Sequence, residues 1–146
     1  MFHLPSIRLW KWIALSVVFL AAVFAAAGTI GTDGPLVIHW SSGGEPNGFA
    51  GKWALWGVLL LAVLSMFAQG SLTKKRPGSI PVGPEMAGAL TAGLAATFSF
   101  ADVTIVVYGW FPTNAVPVIG TAAIAAVWIL FPLAAHVRGK AGSRRR

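Results

Sequence analysis

Four apolar runs, Trp10 to Thr29, Trp53 to Leu72, Met86 to Tyr108 and Pro117 to Val137, restrict this chain to one class of fold. A helix rises about 1.5 Å per residue, so about 20 residues cross a hydrocarbon layer roughly 30 Å thick while pairing every backbone group internally. Each run meets that length. Their few ionisable groups are Lys11 near the start of the first, Asp102 in the third and His136 at the end of the fourth. Only 10% of the residues are charged, against roughly 25% in soluble domains, and mean hydropathy is +0.74. The expected fold is all-α: a polytopic membrane protein with four transmembrane helices, forming a single membrane domain over residues 1–146. Four spans use most of 146 residues and leave no room for a separate soluble catalytic domain.

The connections fit this division. Gly31 to Lys52, Thr73 to Glu85 and Gly109 to Val116 hold the prolines, glycines and asparagines that interrupt helices. Pro117 suits a first helical turn, and Pro132 is expected to bend the fourth helix near its end.

Lysine and arginine are retained on the cytoplasmic side. Arg8 and Lys11, Lys74 to Arg76, and Arg138, Lys140 and Arg144 to Arg146 all fall on one side of a four-span chain; of the 11 basic residues only Lys52 falls on the other. Both termini are therefore expected in the cytoplasm and the 31–52 loop outside, in the plasma (inner) membrane of a bacterium. Trp10, Trp12, Trp53, Tyr108 and Trp110 stand at run ends, where interfacial aromatic belts form. A cleaved signal peptide is the rival reading of the first run, from Arg8, Lys11 and Ala25-Ala26-Ala27, but the run exceeds the usual span of about 7 to 15 apolar residues.

The net charge of +7 raises the question of a nucleic-acid partner. The charges cap apolar runs instead of covering one water-facing surface, so the expected partner is the lipid bilayer and no nucleic acid. There is no cysteine, which excludes disulfides, thiolate metal sites and cysteine nucleophiles. No Ser-His-Asp set, H-E-x-x-H helix or phosphate-cradling glycine loop is present, so no enzyme activity and no cofactor are expected.

The polar chemistry is concentrated between Pro35 and Trp53. His39, Trp40, Glu45, Asn47 and Lys52 are the candidate ligand-binding residues, with Phe49 as a further apolar contact. His39, Glu45 and Lys52 are read as converging on an extracellular peptide or small ligand, and a histidine beside a carboxylate also suits pH sensing. The competing structural reading makes the segment a loop cap: Val37 and Ile38 extended on the membrane surface, Trp40 among headgroups, Gly43-Gly44 in a tight turn, and Lys52 snorkelling from the second helix. Metal binding by His39, Glu45 and Asp33 lacks diagnostic spacing, and no metal is expected.

The order P-x-x-I-H-W-x-x-x-G-E-P-N-G-x-x-x-K-W resembles the N-terminal domain, of unknown function, of SdpI-like bacterial membrane proteins. The matches are Pro35, Ile38, His39, Trp40, Gly44, Glu45, Asn47, Gly48 and Lys52, and the resemblance covers about residues 10–72. Ser41 stands where that family usually has asparagine, and Asn47 where it often has aspartate. The resemblance implies a non-enzymatic protein that senses, or gives immunity to, an extracellular peptide or toxin.

Asp102 is the one acid inside a span and so a functional candidate. With Thr91, Ala95 and Ser99, and with Gly88 and Ala92 nearby, it forms a small and polar stripe expected to face other helices. Pairing with Lys52 or His39, a packing role and an ion pathway are the three readings of Asp102. The alternative function is a structural or accessory subunit of a larger membrane complex, docked through this small-residue face. A transporter would need a midplane ionisable site or paired broken helices, and the runs supply neither.

Overall fold

The computed structural model describes residues 6–68, 72–73 and 82–143. His3, the Lys74 to Arg76 cluster and Arg144 to Arg146 lie outside the described residues. The order is α1 (Ser6–Gly31), β1 (Leu36–Trp40), β2 (Pro46–Ala50), α2 (Trp53–Ser65) continued by a 3-10 turn (Met66–Ala68), α3 (Pro84–Trp110) and α4 (Ala115–Ser143).

Three helical stretches are long and apolar enough to cross a membrane: Leu9–Gly31, Pro84–Trp110 and Ala115–Arg138. Trp53–Ala68 is also apolar but shorter. The second run thus gives a shorter continuous helix than its composition implies. Ser65 marks the change to the 3-10 turn; its hydroxyl donates to the Ala62 carbonyl at 2.7 Å, competing locally with the backbone ladder. The other helices exceed their expected limits by a few residues, and α4 runs through Pro132 to Ser143.

The chain is not purely helical. Leu36–Trp40, rich in β-branched and aromatic residues, pairs antiparallel with Pro46–Ala50 in a two-stranded sheet whose register is irregular around His39. The Ser41 N–H donates to the Glu45 carbonyl at 2.8 Å and the Gly44 N–H to the Ser41 carbonyl at 2.9 Å, closing the turn. Gly44 takes φ +80°, a left-handed angle that favours glycine.

α3 is the central helix. Half of its most apolar window is buried, against 22% for α1 and 11% for α4, because its small residues let neighbouring backbones approach. α1, α2 and α4 all pack on it. The expected small-residue stripe does face inward: Gly88, Thr91, Ala92, Ala95, Ser99 and Asp102 are all buried.

Two apolar clusters hold the bundle. Near the hairpin, Ala25, Leu36, Leu55, Ile105 and Val106 join α1, β1, α2 and α3. At the far end Trp10, Ala14, Ala89, Ala92, Ala95 and Ala135 join α1, α3 and α4, with Met66 and Phe131 against them. Trp10 and Tyr108 are therefore buried side chains, while Trp12 and Trp53 are exposed. The Trp10 indole N–H donates to Glu85 Oε2 at 2.9 Å, and Arg138 Nε lies 3.9 Å from the same oxygen. Glu85 thus links three helices from the first turn of α3, where a carboxylate also suits the helix dipole.

Candidate ligand-binding cleft

Leu36 anchors the foot of the hairpin in the helix core, at 2% exposure. Four residues on, Trp40 meets Tyr108 of α3 edge-to-face, with ring centroids 5.2 Å apart. Strand periodicity alone would send Leu36, Ile38 and Trp40 to one face, yet His39 lines the same opening as Ile38 and Trp40. Between the hairpin and α4 this leaves a cleft of about 670 Å³. One wall is the continuous segment 38–44; the other is a stripe of α4 including Pro117, Val118, Thr121 and Ala125, with Asn114 at the rim.

The candidate residues divide among several tasks. His39 and Trp40 line the cleft. His39 Nδ1 and Asn47 Oδ1 are hydrogen-bonded across the two strands, which orients the ring. Glu45 is exposed at the end of the turn, where its backbone N–H meets Ser41 Oγ at 3.2 Å. Lys52 donates from Nζ to the Thr29 carbonyl at 2.9 Å, tying the start of α2 to the end of α1. A cation there also complements the negative end of the α1 dipole. The structure thus brings His39, Trp40 and Asn47 together, and gives Glu45 and Lys52 other surroundings.

Phe49 is 60% exposed and outside the cleft lining. Among the described residues no three His, Asp or Glu side chains are grouped to hold a metal ion. His39 is the one titratable side chain in the lining, and the rest of the polar groups are hydroxyls, amides and backbone.

Asp102 is fully buried, and neither of its carboxylate oxygens has a hydrogen-bond partner. The Ser99 hydroxyl, one turn away on the same face of α3, is likewise unpartnered. Pairing of Asp102 with Lys52 or His39 is not formed, since those groups bond to Thr29 and Asn47. The small-residue face of α3 packs against the chain's own Trp10, Ala14 and Ala135.

Sequence reasoning missed the α4 wall. Asn114 and Thr121 are the two polar signals there, but nothing in their spacing connects them to a hairpin some 75 residues earlier. The chain matches no protein-family model, no curated protein and no solved structure.

Proposed function

We propose that the chain is a non-enzymatic protein of the bacterial inner membrane that recognises an extracellular peptide at the cleft between the hairpin and α4. The observation that carries this reading is the cleft itself: an open site of about 670 Å³ with a mostly apolar lining and a few polar groups, the usual make-up of a binding site. The resemblance of residues 10–72 to SdpI-like proteins adds the expectation that binding serves immunity or signalling.

In this reading the chain crosses four times, with both termini cytoplasmic. Support for the short second crossing comes from packing: Leu55 joins the cluster near the hairpin and Met66 the cluster at the far end, so Trp53–Ala68 runs from one end of the bundle to the other. Its 16 residues reach about 24 Å at helical rise, a mismatch that local thinning of the bilayer absorbs at modest cost. The hairpin turn and the α3–α4 connection share the opposite end from Glu85 and Arg138, with Gly44 beside Asn114. The basic-residue pattern then sets that shared end outside.

The cysteine-free sequence makes topology directly testable. A membrane-impermeant maleimide on intact cells should label Ser42→Cys and Thr113→Cys, and should label Thr73→Cys only after permeabilisation. For recognition, Thr121→Trp fills the cleft from an exposed position on α4. It should remove peptide binding in nanodiscs while membrane abundance and thermal stability stay at native levels; undiminished binding would refute the site.

A further inference from the structure

The lining of the cleft includes Ile38, His39 and Trp40 of β1 and no residue of β2. Successive strand residues point to opposite faces, so three in a row border the cleft because it runs along an edge of the strand. That edge is the one β2 does not occupy, because the sheet contains only β1 and β2 among the described residues. A narrower cavity of about 130 Å³ opens beneath Ile38 and Trp40 and reaches between α3 and α4 to Thr104 and Ile124. Trp40 borders both spaces, and its indole N–H is buried without a hydrogen-bond partner.

We propose that the cleft takes an extended peptide segment as a third strand on the free edge of β1, with an aliphatic side chain in the narrower cavity and a carbonyl oxygen accepting from Trp40 Nε1. This deepens the recognition role proposed above and rests on it. A strand edge presents alternating N–H and C=O groups, and a second strand satisfies both in register while alternate side chains enter pockets. A lipid tail filling the same space satisfies neither the edge nor the indole N–H, and buried donors left unpaired are costly. Because His39 is the only titratable side chain in the lining, the seated side chains are uncharged. The match to β1 is about five residues, since a strand of that length spans roughly 17 Å.

The test uses the full chain in nanodiscs and a pool of photo-crosslinkable pentapeptides with Leu, Ile, Val or Phe at odd positions and Ser or Thr between. A parallel pool carries N-methyl groups on alternate amides, which removes strand donors and leaves the side chains. The unmodified pool should crosslink to 38–44 and 117–125, and the N-methylated pool should bind at least about tenfold more weakly, as expected for losing two or more hydrogen bonds. Trp40→Phe, which keeps a ring against Tyr108, should weaken binding roughly fivefold, the worth of one hydrogen bond. Equal binding of both pools within the cleft would overturn strand addition and leave recognition standing. Binding of neither pool, or a co-purifying lipid that Thr121→Trp releases, would overturn both.

Discussion

Replacing Gly88 by alanine sets two physical effects against each other and shows which governs this bundle. Alanine is favoured over glycine inside a helix by about 1 kcal/mol, so propensity alone makes Gly88→Ala stabilising. The structure puts the Trp10 ring in the way: an added Cβ would sit 2.7 Å from Trp10 Cδ1, 3.0 Å from Cγ and 3.1 Å from Cβ. Those atoms are the root of the side chain, so a swing of its far end gives no relief. Trp10 must move as a body, and it is held by the bond to Glu85 and by Phe131, whose ring centroid lies 5.3 Å away. Overpacking of this kind costs about 1–3 kcal/mol, and losing the indole hydrogen bond adds about 1 kcal/mol. The expected balance is a destabilisation of about 1–3 kcal/mol, measured by reversible unfolding in mixed micelles. Gly57→Ala is the control, because nothing lies within 4 Å of its added Cβ; it should be neutral or slightly stabilising. In a Trp10→Ala background, which removes the 2.7 Å and 3.0 Å contacts and keeps only the one to Cβ, most of the penalty at Gly88 should be lost, giving a coupling energy of about 1–3 kcal/mol. A Gly88→Ala protein as stable as the native one, or an unchanged penalty without Trp10, would refute the packing argument.

Three further outcomes follow from the same geometry. Asp102→Leu should fold at least as stably as the native chain, by about 1–3 kcal/mol, because it replaces a buried unpartnered carboxylate with an apolar side chain; a less stable variant in micelle unfolding would reveal a partner for Asp102. Lys52→Met removes a charged donor from the Thr29 carbonyl and should cost about 1.5 kcal/mol, the low end for bonds to charged groups, since the site is only part-buried. Its signature is faster amide exchange over residues 29–32 with α3 unchanged. Glu85→Gln keeps an acceptor for Trp10 and gives up only a partly exposed 3.9 Å ion pair with Arg138, worth under about 1 kcal/mol. Glu85→Ala also loses the indole bond, so it should be the less stable of the two; equal midpoints would show that Trp10 does not need it.

The membrane character and the inward face of the third helix were legible in the sequence for a shared reason. Whether a segment is apolar, and whether Thr91, Ala95, Ser99 and Asp102 fall on one helical face, are properties of local spacing that need no partner. The short α2 was not legible, since Leu59 to Leu64 and the residues beyond it continue the apolar composition past the last helical turn. Nor was β2: Pro46 and Gly48 argue against a strand in isolation, and their tolerance depends on lying at the edge of a two-stranded sheet.

The candidate site divides in the same way. His39, Trp40 and Asn47 stand out by composition in a polar loop between apolar runs. What they do depends on contacts that no local pattern encodes: Asn47 orients His39, Tyr108 seats Trp40, and α4 with the residue before it brings Thr121 and Asn114 to the opposite side of the cleft. Lys52 is conspicuous as a lone cation yet serves a helix end, and Trp10 and Tyr108 at run ends turn inward although their positions suit an interface. The sequence by itself determined which segments are apolar enough to leave water, because transfer into lipid is summed residue by residue along a helix. Only the tertiary structure decided which polar groups meet, because hydrogen bonds and cavities are set over a few ångströms between residues as far apart in the chain as Trp10 and Glu85.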